Sequence, residues 1–129
     1  MSANEKNSVT IVCPGVPVSA NVRLRKYRNP HAYARYRDAW QRTLWALLTT
    51  KDKAWLLAMA QAKKKMRIEA TLLHSRLYDQ DNAYSSLKPI LDSLTRLSYL
   101  AGDDPAHLEL SVKQTKIRAN ELWLNIREA

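Results

Sequence analysis

Met66-Arg67-Ile68-Glu69-Ala70-Thr71-Leu72-Leu73-His74 opens a stretch that continues through Ser75-Arg76-Leu77-Tyr78 to Asp79-Gln80-Asp81-Asn82. Met66, Ile68, Ala70 and Leu72 alternate with Arg67, Glu69, Thr71 and Leu73, a period of two that predicts a half-buried strand. That strand delivers the chain to Asp79 and Asp81. An Asp-x-Asp pair at a strand end puts two carboxylates on one face, because side chains alternate.

Reading back from this strand, Lys63-Lys64-Lys65 marks a change of pattern. Before it, Trp55, Leu56, Met59 and Ala62 suit a helix that Asp52 or Thr50 would cap. Tyr33, Tyr36, Trp40, Leu44, Leu47 and Leu48 recur at three or four residues, one buried face of an earlier helix. Pro30 suits its first turn. Thr49-Thr50-Lys51-Asp52-Lys53 is a polar break between the two. With no Gly or Pro between Pro30 and Pro89, a single bent helix is the alternative. Val9-Thr10-Ile11-Val12-Cys13, bounded by Pro14-Gly15, predicts a first strand. Pro14 to Asn21 reads as a rigid irregular loop leading into Arg23, Arg25, Lys26 and Arg28.

Reading forward, Ile90, Leu91, Leu94, Leu97 and Leu100 form another helical stripe, with Gly102 as its stop. Leu108, Leu110 and Val112 alternate, as do Leu122, Leu124 and Ile126. Joined around Arg118-Ala119-Asn120, they predict a closing hairpin. The fold expected is α+β: a small mixed sheet with helices packed against it, in the order β-α(-α)-β-α-β-β. A single domain over residues 1–129 is expected, long enough for a core without disulfides.

The chain carries 21 Lys and Arg against 12 Asp and Glu, a formal net charge of +9. A basic surface of this kind favours nucleic acid through phosphate neutralisation. A surface kept for solubility or for an acidic protein partner is the plainer alternative. No apolar run approaches the ~20 residues needed to cross a bilayer, so no membrane association is expected. The start, Met1-Ser2-Ala3-Asn4-Glu5-Lys6-Asn7, lacks the order of a secretion signal. One cysteine, Cys13, permits no internal disulfide and agrees with a reducing, cytoplasmic setting.

Five of the 12 carboxylates, Asp79, Asp81, Asp92, Asp103 and Asp104, fall within a 26-residue window of this basic chain. Hard cations such as Mg²⁺ take oxygen ligands and keep several waters, so two or three carboxylates and a phosphate oxygen make a site. Asp103-Asp104 follows the next helix, where the chain is expected to return to the same end of the sheet. Taken singly, each acid has a plainer reading. Asp79 or Asp81 alone is a cap or turn residue. Asp103-Asp104-Pro105 alone is a turn. Asp92 alone pairs with Lys88 or Arg96 at i,i+4. His31, His74 and His107 are well separated and make no zinc cluster. Two glycines exclude a glycine-rich phosphate loop.

Asp79-Gln80-Asp81-Asn82, then Lys88-Pro89-Ile90-Leu91-Asp92-Ser93-Leu94, then Ala101-Gly102-Asp103-Asp104 resembles the signature of the RusA-type Holliday junction resolvases. These are small endonucleases common in phages and prophages. Pro14, Pro17, Ser19-Ala20-Asn21 and Arg23 resemble the family's opening loop, and Leu108 to Lys113 its penultimate strand. The resemblance implies a homodimer that binds four-way DNA junctions and nicks two opposed strands with Mg²⁺, or with Mn²⁺ in its place. It implies Asp79, Asp81 and Asp104 as catalytic metal-holding carboxylates and Lys88 as the catalytic lysine. Asn82, Asp92 and Asp103 match auxiliary positions. One departure stands out: five residues separate Asn82 from Lys88 where the family pattern has two. Three extra residues are nearly one helical turn, ~4.5 Å of rise. Pro89 then requires that Ser85 or Ser86 cap a new helix, or that a helix from Asn82 kink.

On this reading Arg23, Arg25, Lys26 and Arg28, with Lys63, Lys64 and Lys65, contact backbone phosphates without reading sequence. The alternative is a non-catalytic binder of branched or duplex DNA, and a third reading is a basic adaptor for an acidic protein.

Overall fold

The computed structural model describes residues 7–129; the polar start of the chain, residues 1–6, lies outside them. The elements are β1 (Ser8–Pro14), α1 (Ala20–Lys26), α2 (Pro30–Leu47), α3 (Thr50–Gln61) and β2 (Met66–His74), followed by α4 (Gln80–Ser86), α5 (Lys88–Arg96), β3 (Leu108–Lys116) and β4 (Asn120–Glu128). The α+β class and the expected order hold. A short helix is added before α2, and the later helix is split in two.

β2 has the period-two burial that its sequence requires: Met66, Ile68, Ala70, Leu72 and His74 are buried, and the residues between them are partly exposed. The sheet order is β1-β4-β2-β3, with β2 and β3 parallel and the other pairs antiparallel. The hairpin expected between β3 and β4 does not form, because β4 lies between β1 and β2. Burial explains the choice. β4 buries Leu122, Leu124 and Ile126, whereas β3 exposes Glu109, Lys113 and Lys116 and takes the edge. Charged residues, Lys above all, are suited to an unpaired edge.

Parallel strands need a crossover, here supplied by α4 and α5. The crossover settles where the acids lie. It returns the chain to the start of β2, where the His107 carbonyl accepts a hydrogen bond from the Met66 amide at 2.9 Å. Asp104 is therefore at the Met66 end of the sheet. Asp79 follows the His74 end. The expectation that both lie at the same end is corrected by the parallel pairing.

The helices owe their bounds to local chemistry. Ser19 caps α1, accepting from the Val22 amide at 3.3 Å. α1 thus starts at Ala20, inside the stretch expected as irregular loop, and carries Arg23, Arg25 and Lys26. Asn29 caps α2, with Pro30 in its first turn. Thr49 and Asp52 form a reciprocal capping box that starts α3. This makes α2 and α3 two separate helices where a single bent helix was the alternative, with Thr49 as the cap in place of Thr50 or Asp52.

Ends without glycine close α3 and α5. The Lys64 amide donates to Met59 O and the Lys63 amide to Ala60 O, with Lys63 at φ 54°. The Tyr99 amide donates to Leu94 O and the Ser98 amide to Thr95 O, with Ser98 at φ 66°. Both are Schellman ends. In the second, Ser98 closes α5 four residues before Gly102, the expected stop.

α2 buries Leu44, and Leu48 beyond its end; Tyr33, Tyr36 and Trp40 are half-buried, and Leu47 is exposed. The buried apolar residues of β1, β2 and β4 join Leu44, Leu56, Leu87, Ile90 and Leu94 in one cluster. Among the described residues, no helix is long and apolar enough to cross a membrane.

Candidate active site

β2 ends at His74, and a half-buried clamp controls its exit. His74 Nε2 lies 3.0 Å from Gln114 Oε1. The same Gln114 amide accepts from the Tyr78 amide and donates to the Tyr78 carbonyl, at 2.8 and 2.9 Å. The Tyr78 hydroxyl reaches across to Pro17 O at 2.8 Å. Three segments thereby fix the residue before Asp79.

Asp79 is the N-cap of α4 but makes no side-chain cap bond, and Asp81 lies in the first turn. Both are exposed, and Asn82 is half-buried. The two carboxylates therefore stand on a helix start, five and seven residues past the strand, and strand alternation does not align them. The segment from Gln80 to Ser86, where Ser85 or Ser86 was the expected cap of a new helix, is itself helical. It breaks at Leu87, which makes no side-chain cap bond, and Pro89 falls in the first turn of α5. The missing Pro89 N–H costs nothing there.

Lys88 opens α5. Its Nζ lies 3.2 Å from Asp92 Oδ2 and 5.7 Å from the Tyr33 ring centre. The Tyr33 hydroxyl donates to the same Asp92 oxygen at 2.5 Å. Burial first, and then the Asp92 carboxylate, push the Tyr33 hydroxyl well above the usual phenol range, so it stays a donor. α2 and α5 thus hold Lys88 and Asp92 as one unit.

Arg23 is only 7% exposed, although it belongs to the cationic run. Its guanidinium turns inward and donates to the Ser85 carbonyl of α4. Arg25, Lys26 and Arg28 remain exposed, with Lys26 Nζ 5.9 Å from the Tyr27 ring centre. Lys63, Lys64 and Lys65 are exposed at the Met66 end of β2, where Lys65 lies 3.6 Å from Glu109. The expected phosphate contacts therefore fall at both ends of the sheet.

A cavity of about 280 Å³ is lined by Arg23, Tyr84, Ser85, Lys88, Leu91, Asp92 and Asp103. Asp92 and Asp103 also line a neighbouring cavity, with Arg37, Thr95 and Arg96. Asp104 takes another course. Its Oδ1 is 2.7 Å from His107 Nδ1, and that hydrogen bond holds its carboxyl below the usual carboxylate range. Gly102 leaves room for it: a Cβ there would come within 2.6 Å of Asp104 Oδ1.

Among the described residues, no group of three or more His, Cys, Asp or Glu stands ready to hold a metal ion. The triad of Asp79, Asp81 and Asp104 is not gathered as it stands. Asp79 and Asp81 alone offer two hard oxygen donors near one another in sequence, chemistry that suits Mg²⁺ with waters and substrate oxygens completing its shell. Tyr33, Tyr84 and Ser85 were not singled out from the sequence as site residues. Tyr33 is 59 residues from Asp92, and its place in an apolar stripe concealed its hydroxyl. Tyr84 and Ser85 belong to the five-residue stretch before Lys88, and its extra length was their one signal. No protein-family model and no curated protein matches this chain, so the resemblance rests on its own motif residues.

Proposed function

We propose that this chain is a Mg²⁺-dependent, structure-specific DNA endonuclease that resolves four-way junctions by paired nicks in opposed strands, working as a homodimer. The observation that supports the reading best is the cavity between α1, α4 and α5. Residues from three separated motif blocks meet there: Arg23 from the first, Lys88 and Asp92 from the second, and Asp103 from the third. Charge supports it too, since +9 favours a polyanion.

Asp79 and Asp81 would hold the metal, with Asp104 as the third carboxylate that the motif implies. Mn²⁺ accepts the same oxygen donors. When bound, such a metal supplies activation of a water and stabilisation of the departing oxygen. To join the pair, Asp104 would have to leave both His107 and the Met66 end of the sheet. Lys88, steadied by Asp92 and Tyr33, would neutralise charge on the phosphoryl oxygens. Arg25, Lys26, Arg28 and the Lys63–Lys65 run would bind backbone phosphates. A two-fold dimer would match the two-fold relation of the opposed strands.

The test is a pair of variants on a synthetic junction. Asp81→Asn is expected to abolish nicking while binding stays as tight or becomes tighter. Lys88→Ala is expected to slow nicking by roughly 100- to 1,000-fold. Junction binding with no cutting in either Mg²⁺ or Mn²⁺ by the wild type would leave a non-catalytic DNA binder. Lys88→Ala cutting at the wild-type rate would remove Lys88 from the chemistry.

A further inference from the structure

We infer that the cavity between α1, α4 and α5 is a subsite for one unpaired nucleotide, holding its phosphate on Arg23 and Lys88 and its base on Tyr84. The inference rests on the DNA-junction reading above and deepens it, by naming the part of the substrate that the cavity takes.

Arg23 is the first ground. A guanidinium has five N–H donors and keeps its charge. Buried charges are ordinarily paired, because desolvation is costly. Arg23 is 93% buried, yet among the described residues no carboxylate lies within 4 Å of it, and its one hydrogen bond here goes to the Ser85 carbonyl. Arg23 is also one of the residues that line the cavity. A planar donor fork in such a place suits a phosphate. Lys88 Nζ adds a second cation on the same cavity, and its side chain is 55% exposed.

Tyr84 is the second ground. A large apolar ring is usually covered, but Tyr84 is 50% exposed on the cavity wall, one residue before Ser85. Aromatic faces beside cations are the usual platform for unpaired bases, and a stacked base contributes to binding without reading sequence. At about 280 Å³ the cavity is near the lower end of small-ligand sites (~300–1,000 Å³). That size excludes duplex DNA. Branch points supply what continuous duplex lacks, a nucleotide that leaves its stack at low cost.

Binding measured in EDTA isolates this from cleavage. A labelled four-way junction and a linear duplex of the same sequence are titrated with wild type, Tyr84→Ala and Tyr84→Phe. Tyr84→Ala is expected to weaken junction binding by about 10-fold and duplex binding by less than twofold, with Tyr84→Phe like wild type. Arg23→Gln is expected to weaken junction binding as well. Because Arg23 is buried, a second measurement is made on the wild type: a tetrathymidine oligonucleotide should shift the Tyr84 ring and Arg23 Nε–H resonances. Equal junction affinity in Tyr84→Ala, or no shift at either residue, overturns the subsite and leaves the nuclease reading standing. A wild type that binds junction no better than duplex overturns both.

Discussion

Asp104 and its neighbour Asp103 are adjacent residues with different surroundings. Asp103 lines the cavity with Lys88 and Asp92, whereas Asp104 is bound to His107 across one turn. The hydrogen bond from His107 stabilises the ionised carboxylate and so depresses its pKa. For a depressed carboxylate, the stabilising contribution is present above the unfolded pKa, ~3.9, and is lost as pH falls through the folded value. His107→Ala is therefore expected to raise the Asp104 pKa toward the ordinary range. A ¹³C carboxyl titration checks this, and an unmoved Asp104 would contradict the pairing. Cys13 shows a simpler influence: burial pushes its thiol up to about 11, so it stays neutral near pH 7. That a lone cysteine in an apolar run is a core residue was readable from Val9 to Cys13. That Tyr33 anchors Asp92 was not, because the contact joins helices that no local pattern links.

At the scale of elements, periodicity was informative and punctuation was misleading. β2, β3 and β4 follow from alternation, β1 from its β-branched run, and α2 and α3 from three- and four-residue spacing. The end of α5 was sought at Gly102, yet α5 closes through Ser98, and α3 through Lys63, each just past the helix and at positive φ. A left-handed residue with a side chain costs roughly 1 kcal/mol relative to glycine. Ser98→Gly is expected to stabilise the protein by about 0.5–1 kcal/mol, read as a higher midpoint in urea with an unchanged slope. A lower midpoint would mean that the Ser98 side chain makes a favourable contact of its own. Asp79-Gln80-Asp81 likewise looked like the end of a strand. The clamp from His74 and Tyr78 to Gln114 intervenes, and the acids begin a helix. A pairing over 36 residues leaves no local trace.

Across the whole molecule, the strand alternations predicted a mixed sheet but not its order. Adjacent alternating runs are ordinarily a hairpin, and β3 and β4 depart from this because β3 is too polar for an interior position. The parallel pairing of β2 with β3 then separates Asp104 from Asp79. The Asp104 carbonyl accepts from the Leu108 amide at the start of β3, whereas Asp79 follows Tyr78, which Gln114 holds near the end of β3. The candidate site was thus legible as a set of residues and not as an arrangement. What joins the motif blocks is the cavity under α4 and α5, with a buried arginine that the charge count assigned to the surface. Whether these residues cut branched DNA is decided by strand nicking with the wild-type protein on a synthetic four-way junction and on linear duplex of the same sequence, with and without Mg²⁺. Paired nicks in opposed strands of the junction are expected only with the metal, with little cutting of the duplex. An intact junction in the presence of Mg²⁺, under conditions where the protein is bound to it, would rule out the proposed nuclease.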